Sequence, residues 1–276
     1  MTATADTLAS GPGWHVADVI CTASAGDRPF EEAHRDFCVA AVTSGSFRYR
    51  AQQGTAVLAP GSLLLGNSGT CYECGHEHGN GDRCLSFHFG SGYMDRIVAD
   101  VPGARTLSFG APRLPPLPAL APLLAEAEAA RDMADTDAFE ELALRVAGAA
   151  VATLSGDTNG GCDPSRRDQK RVAEAVRRIE LDADGPISLP GLADETATSP
   201  YHFLRTFRQV AGMTPYQYLL RTRLHRAAVR LRTSNDAISA IAFEAGFNDL
   251  STFNRRFRRV MGETPGRYRA RRAGCG

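Results

Sequence analysis

The chain has 276 residues, 43% of them hydrophobic, which is enough for two domains with buried cores. Its 31 basic and 31 acidic side chains give a formal net charge of zero, but residues 1–164 carry a net charge of −10 and residues 165–276 a net charge of +10. No apolar run approaches the roughly 20 residues that span a bilayer and the first basic residue is Arg28, too late for a secretory signal, so we expect a cytoplasmic protein with no membrane partner.

The first 111 residues contain several short apolar or alternating segments separated by Gly and Pro turns. These segments are Phe37–Val42, Gly45–Arg50, Thr55–Ala59, Ser62–Leu65 and Cys84–Phe89. Evenly spaced short strands predict a small β-barrel or jelly roll. Because such a barrel can enclose a small molecule, we expect residues 1–111 to bind an effector. His34 is a candidate effector contact, and the alternative is an ordinary core or surface histidine.

Residues 71–84 contain three of the seven cysteines and two histidines. The candidate metal ligands are Cys71, Cys74, His76, His78 and Cys84. Cys-x2-Cys is a common chelate spacing, since a short loop brings two thiolates to one ion, and thiolate with imidazole favours zinc as the candidate cofactor. Two alternatives stay open: a reversible thiol switch activated by Arg83 and the histidines, and a structural segment in which Cys84 is a small hydrophobic residue.

Residues 112–155 are predicted to form a helical connector. Several prolines delay helix formation, after which Leu123–Arg131 and Ala138–Leu154 have amphipathic spacing. The second helix has an apolar seam that suits either the barrel or a second chain, so a homodimer is a candidate assembly. The seam residues are Leu142, Val146, Ala149 and Ala150. Residues 156–165 contain no periodic apolar residue and predict a linker.

The C-terminal domain, residues 166–276, contains one segment twice at an offset of fifty residues. Phe203–Tyr218 and Phe253–Tyr268 coincide at nine positions: two Phe, two Arg, and one each of Val, Gly, Thr, Pro and Tyr. The Phe and Val residues of each copy are spaced to form one apolar helix face, the Gly suits a left-handed C-cap, and Thr-Pro begins another helix. A short helix precedes each copy. Two helix-turn-helix units are therefore predicted, each with its second helix in the major groove of DNA.

The run AIAFEAGFNDLSTFNRRFRRVMGETPGRYR, from Ala240 to Arg269, closely resembles the signature of AraC/XylS-type transcription regulators. The resemblance covers about the last hundred residues. It implies two units joined by a long helix, here Pro215–Arg232, that bind adjacent major grooves of double-stranded DNA. It also implies RNA polymerase as a partner and activation as the commoner outcome. The strand-rich domain, with its turn Ala59–Ser62, looks like the cupin-type sensory domain often found ahead of such modules, but it lacks the metal-binding histidine expected three residues after Gly61.

The two recognition helices supply the candidate DNA-binding residues, base contacts from their early turns and phosphate contacts from further arginines. They are Ser199, Tyr201, His202, Leu204, Arg205 and Arg208 in the first unit, and Asp249, Leu250, Ser251, Asn254, Arg255, Arg256, Arg258 and Arg259 in the second. Arg205 and Arg255 match positions that the family uses for base contacts, and an Arg side chain fits O6 and N7 of guanine. The other arginines are expected to bind phosphates. Pairing with a neighbouring acid is the alternative for each Arg.

The sequence therefore predicts an α+β two-domain protein: an N-terminal cupin-like β-barrel (jelly roll), a helical connector and an all-α double helix-turn-helix domain. The predicted function is a sequence-specific transcription regulator, an activator by family resemblance, controlled by a small-molecule, metal or redox signal. We expect no enzyme activity, because we recognise no catalytic constellation in the sequence. The alternative is a cupin-type metal enzyme fused to a DNA-binding module.

Overall fold

The computed structural model of the chain describes residues 3–23, 27, 30–76, 81–105, 108–156 and 165–271. It divides into two compact units, Met1–Gly161 and Cys162–Gly276. None of the described helices combines the length and the apolar character that crossing a membrane requires.

The N-terminal unit is built on two antiparallel sheets. The strands are β1 (Ala3–Gly11), β2 (Trp14–Cys21), β3 (Phe30–Ala33), β4 (Phe37–Gly45), β5 (Phe47–Ala51), β6 (Gly54–Leu58), β7 (Leu63–Gly66), β8 (Cys71–Gly75), β9 (Asp82–Phe89) and β10 (Arg113–Leu114). One sheet has the order β1-β2-β9-β4-β7-β10 and the other β3-β8-β5-β6. The five predicted strands correspond to β4, β5, β6, β7 and β9, so this part of the fold prediction is confirmed.

The central strands of the larger sheet are buried on both faces. Along β9, Cys84, Ser86 and His88 line an interior cavity, whereas the alternate residues Leu85 and Phe87 are fully buried on the opposite face. A core shared by the two sheets closes part of the interior. It contains Cys38, Ala40, Val42, Phe47, Tyr49, Leu58, Leu64 and Cys84. Burial on both faces explains why β4 is a continuous apolar run rather than an alternating one.

Three helices complete this unit: α1 (Ser91–Asp100), α2 (Ala121–Asp132) and α3 (Phe139–Leu154). Helix α3 contacts α1, α2 and the strands β1, β2 and β4. Its predicted seam is used there, because Leu142, Val146 and Ala150 are almost completely buried within the chain. Packing inside the chain therefore accounts for these three residues of the seam, whereas Ala149 is half-buried.

The C-terminal unit consists of helices only in its described residues. They are α4 (Arg166–Asp182), α5 (Leu189–Glu195), α6 (Pro200–Ala211), α7 (Pro215–Thr233), α8 (Ile238–Glu244), α9 (Leu250–Met261) and α10 (Pro265–Ala270). The pairs α5–α6 and α8–α9 are the two predicted helix-turn-helix units, and α7 joins them. This arrangement confirms the predicted all-α double helix-turn-helix domain.

The sequence repeat extends to the packing of aromatic rings. Phe207 lies 6.1 Å from Tyr218, and the equivalent Phe257 lies 5.3 Å from Tyr268, each pair edge to face. The prediction that Val210 and Val260 extend the apolar face is wrong, because they are 38% and 54% exposed. Each valine lies in the last turn of its helix, beyond the buried phenylalanines.

The predicted helix ends are confirmed in both copies. Gly212 and Gly262 are left-handed C-caps with φ of 72° and 79°. Thr214 caps α7 by accepting from the amide of Gln217, and Thr264 caps α10 by accepting from the amide of Arg267. These residues satisfy backbone groups that a helix end leaves without partners.

Gly262→Ala isolates the cost of a left-handed cap. No described atom lies within 4 Å of an added Cβ, so backbone strain alone should lower the free energy of unfolding by about 1–2 kcal/mol. Gly246→Ala is the comparison, because its φ is +88° and the added Cβ would lie 2.9 Å from the carbonyl oxygen of Ala183. Urea denaturation followed by circular dichroism should show the larger loss for Gly246→Ala, and equal losses would contradict this account.

Candidate nucleic-acid interface and ligand cavity

Helices α6 and α9 present arginines at equivalent positions. Arg205 and Arg208 on α6, and Arg255 and Arg258 on α9, are exposed. Within the described part of the chain, their guanidinium groups form no hydrogen bond or ion pair. Pairing with a neighbouring acid, the alternative raised from the sequence, is therefore not what the structure shows for these four residues. Such side chains can replace counterions along a phosphate backbone without first breaking an internal contact.

Two predicted DNA-binding residues are buried instead. Leu204 is 2% exposed and belongs to the apolar face of α6 together with the adjacent Phe203. Arg256 is 8% exposed, and its guanidinium carbon lies 5.5 Å from the centre of the Tyr216 ring. The prediction that these two side chains face solvent and DNA is wrong, because neighbouring positions on a helix differ by about 100° and both residues fall on the inner side.

Two further candidates hold the N-termini of the recognition helices. The hydroxyl of Ser199 accepts from the amide of His202 at 3.2 Å. The carboxylate of Asp249 accepts from the amides of Ser251 and Thr252 at 3.0 and 2.6 Å. Hydrogen bonds from Thr252 and Ser251 lower the pKa of Asp249 below its ordinary value. These oxygens stabilise the ends of α6 and α9, so their capping role does not depend on DNA.

The remaining candidates differ in exposure. Leu250 packs against the second helix-turn-helix core, and the Nε2 of His202 lies 3.7 Å from the carboxylate of Asp168 on α4. Tyr201 is half-buried. The exposed candidates on the two helices are Arg205, Arg208, Ser251, Asn254, Arg255, Arg258 and Arg259. They form the surface that we call the basic face.

The interior of the N-terminal unit contains a cavity of about 420 Å³ between residues of both sheets. Ten of the residues that line it carry thiol, imidazole or carboxylate groups. They are His15, Cys21, Glu32, His34, Cys38, Cys74, His76, Asp82, Cys84 and His88. This lining is far richer in metal-binding and hydrogen-bonding groups than an ordinary apolar pocket.

The predicted effector residue His34 lines this cavity. Its Nε2 lies 2.9 Å from the hydroxyl of Tyr49, and its ring stacks on Tyr72 at 4.1 Å. Burial, together with the charge of His88, lowers the pKa of His34 to about 4. Gly66 leaves room for the ring, since a Cβ at that position would lie 2.4 Å from the His34 Nε2. His34 is therefore a neutral hydrogen-bonding group at neutral pH.

The Cys-x2-Cys segment is a strand rather than a loop. Cys71 begins β8 and is exposed, whereas Cys74 lines the cavity. Residues three apart on a strand point to opposite faces, so the prediction that these two thiols bind one ion is wrong. His78 lies outside the described residues. Of the five predicted ligands, Cys74, His76 and Cys84 line the cavity.

A different trio comes together at one end of β2 and β9. Cys21, His76 and Asp82 each offer a ligand atom, and these atoms lie within 4.8 Å of one another. Cys21 and Asp82 are directly paired in the antiparallel register. The Nε2 of His76 lies 2.6 Å from a carboxylate oxygen of Asp82, whose other oxygen accepts from the thiol of Cys84 at 3.4 Å. Sequence reasoning missed Cys21 and Asp82, and only the alternation of Trp14–Cys21 could have indicated that Cys21 faces inward.

The cavity thiols are protonated at neutral pH. Burial raises the pKa of Cys38 to about 11. Burial, reinforced by the carboxylate of Asp82, also raises the pKa of Cys21, Cys74 and Cys84. A thiol switch depends on a thiolate of lowered pKa, so this alternative finds no support at these four residues.

Comparison with known proteins gives the same division of the chain. Residues 192–271 match the family model described as a helix-turn-helix domain, and residues 20–147 match the AraC-like ligand binding domain. The chain is 35% identical over 103 residues to the regulatory protein SoxS of Escherichia coli strain K12, covering 37% of this chain and 96% of SoxS. The chain belongs to the AraC/XylS family of transcription regulators. It is a DNA-binding regulator with a ligand-binding domain, as the sequence predicted.

Two other proteins are similar to part of this chain. The bifunctional transcriptional activator/DNA repair enzyme AdaA of Bacillus subtilis strain 168 is 32% identical over 111 residues, which are 39% of this chain and 53% of AdaA. The DNA-binding domain of AdpA, a global transcriptional factor solved in complex with a target DNA, is 29% identical, with a TM-score of 0.35 over 40% of this chain and 92% of that domain.

Leu204→Ala should act on stability rather than on DNA contact. Removing a buried leucine side chain costs about 2–5 kcal/mol of unfolding free energy. Arg205→Ala is the matched control, because this neighbouring side chain is exposed, and its change should stay within about 0.5 kcal/mol. Urea denaturation of both variants checks the assignment, and a Leu204→Ala protein as stable as the control would refute the burial.

The buried histidines should make the N-terminal unit sensitive to acid. The unfolded chain protonates histidine near about pH 6.5, whereas folded His34 and His88 protonate only near about 4. Between these pH values the unfolded state binds more protons than the folded state. The contribution of the two histidines to the free energy of unfolding is therefore fully present above about pH 6.5 and is lost as the pH falls towards about 4.

Urea denaturation of His34→Gln at several pH values measures this contribution. The variant should lose less stability on acidification than the wild-type chain does. His225→Gln is the control, because His225 is exposed on α7, and its pH dependence should equal that of the wild type. An unchanged pH dependence in His34→Gln would contradict the assignment.

Proposed function

We propose that this AraC/XylS member is a ligand-controlled transcription activator whose helices α6 and α9 bind adjacent major grooves of promoter DNA. The observation that carries the proposal is the repetition of an exposed arginine, Arg205 and Arg255, at the same position of two equivalent helices. A guanidinium group at that position reaches guanine O6 and N7 with two donors. Two such contacts in one chain specify two half-sites.

The outer arginines of the basic face have a different role. Arg208, Arg258 and Arg259 lie in the later turns of α6 and α9, and all three are exposed. In the docking geometry of helix-turn-helix proteins, the N-terminal residues of the recognition helix approach the bases. The later arginines are placed to bind phosphates, which position the protein but carry no sequence information.

The cavity of the N-terminal unit supports the proposed control by a ligand. The residues that line it fall largely within the segment matched by the AraC-like ligand binding domain. A ligand changes DNA binding only if it binds one state of the protein more tightly than the other. We propose that the cavity occupant is the signal, and that DNA-bound protein recruits RNA polymerase.

AdaA is described as a transcriptional activator, which supports activation as the sign of regulation. AdaA is also a DNA repair enzyme, but this chain spans 53% of AdaA, and we propose no repair or other catalytic reaction here. The matched relatives are mainly regulators, which favours a regulator over a cupin-type enzyme fused to a DNA-binding module.

Selection from a random DNA library with the full chain tests this function. The selected sites should contain two half-sites about 10–10.5 bp apart. Arg255→Ala should weaken binding to the selected site by about 1–3 kcal/mol and relax the base preference of one half-site, because the two hydrogen bonds from the guanidinium group to guanine are lost.

Arg259→Ala is the matched control on the same helix. Its binding should weaken on selected and random DNA alike, and the dependence of affinity on salt concentration should become shallower. Fluorescence anisotropy at several salt concentrations gives both quantities. Equal losses on selected and random DNA for Arg255→Ala would remove this residue from base recognition, and failure to select any site would refute sequence-specific binding.

A further inference from the structure

The cluster of Cys21, His76 and Asp82 has the donors of a metal site but is built from residues that are far apart in the chain. Cys21 ends β2, Asp82 begins β9, and the antiparallel register pairs them directly. His76 follows β8 on the other sheet and is 5% exposed. The site therefore joins the two sheets at one end of the cavity that all three residues line.

Among the described residues, one buried atom of this cluster has no hydrogen-bond partner. The Nδ1 of His76 is buried and forms no hydrogen bond with any described residue. Leaving a buried polar atom unsatisfied costs about 1–3 kcal/mol, and such an atom calls for an explanation such as an ion or a water. The other ring nitrogen is held by Asp82 at 2.6 Å, which fixes the orientation of the ring.

The Nε2 of His76 and a carboxylate oxygen of Asp82 are placed like two ligands of one ion. An ion bound to both atoms would replace the proton that they share across 2.6 Å. Cys21 offers a third ligand atom in the same cluster. The second oxygen of Asp82 accepts from the thiol of Cys84, so Cys84 is close enough to serve as a fourth donor.

The donor types select the class of ion. One sulfur, one imidazole nitrogen and one carboxylate oxygen form a mixed set that suits Zn²⁺ and similar divalent transition-metal ions. Ca²⁺ and Mg²⁺ require mostly oxygen ligands and would bind poorly here. The cavity beside the trio leaves a coordination position for Cys84 or for a small molecule.

We propose that Cys21, His76 and Asp82, with Cys84 as a fourth donor, bind one Zn²⁺-class ion, and that this ion is the ligand of the sensory cavity. The thiol of Cys21 becomes a thiolate on binding and its proton passes to solvent, as does the proton of Cys84. The assignment of the ion as signal rests on the function proposed above, whereas the binding site itself does not. The site differs from the Cys71–Cys74 chelate that the sequence suggested.

Zinc binding by the reduced, metal-stripped full chain tests the site. Elemental analysis and competition against a chromogenic chelator should give one Zn²⁺ per chain. Cys21→Ser and His76→Gln should lose this stoichiometric binding, and Asp82→Asn should weaken it at least about 10–100-fold, the range for loss of a residue that orients a ligand. Cys71→Ser is the matched control, because Cys71 is an exposed thiol outside the cluster, and it should bind like the wild type.

A second measurement does not depend on the folding of any variant. X-ray absorption spectroscopy of the zinc-loaded wild-type chain should show one or two sulfur ligands together with nitrogen or oxygen. Four sulfurs, or nitrogen and oxygen alone, would overturn the proposed ligand set. Loss of binding in Cys71→Ser with retention in Cys21→Ser would return the site to the Cys-x2-Cys segment, and the absence of zinc binding by the wild type would refute the site.

The role of the ion is tested on the same preparations. Affinity for the selected DNA should differ between the zinc-loaded and metal-free wild type and be insensitive to zinc in Cys21→Ser. Zinc binding with unchanged DNA affinity would refute the ion as signal while leaving the site. Specific DNA binding by a chain that binds no zinc would refute this inference alone. Zinc binding without any specific DNA binding would refute the proposed function instead.

Discussion

Alternation of side chains across the larger sheet is the constraint on which the N-terminal unit depends. Because β2, β4 and β9 are covered on both faces, each strand must supply apolar residues on one face and cavity groups on the other. Leu85 and Phe87 hold the sheet in the core, while Cys84 and His88 on the same strand reach the cavity. In the smaller sheet, alternation along β8 places Cys71 outside. The chemical character of the sensor is thus a consequence of strand register.

In the C-terminal unit, helical spacing separates buried apolar residues from exposed charged residues. Phe203 and Phe207, and their counterparts Phe253 and Phe257, fill the two small cores, so the opposite side of each helix is free to carry charge. The caps at both ends fix the residues at which each recognition helix begins and ends. The N-terminal turns of these helices can therefore approach DNA without further ordering of the backbone.

The cavity is the proposed link between a ligand and regulation. Its lining combines imidazole, thiol and carboxylate groups contributed by both sheets. An ion that binds to Cys21 and His76 would connect the two sheets at a position where the apolar core is interrupted. Metal sites of this kind contribute binding free energy directly to the folded arrangement. That property suits a sensor, since occupancy alters the stability of one conformation relative to another.

The sequence by itself determined the DNA-binding half almost completely. Helical spacing, caps and the repeat of Phe203–Tyr218 in Phe253–Tyr268 depend on residues close together in the chain, and the structure retains them. It erred where neighbouring positions on one helix differ in burial, as for Leu204 and Arg256. In the sensory half, only the tertiary structure decided which cysteines face inward. Cys21 meets Asp82 because β2 pairs with β9, although strands β3 to β8 lie between them in the chain, and no short-range spacing records that pairing. The Cys-x2-Cys motif, in contrast, is split between two faces because its strand alternates.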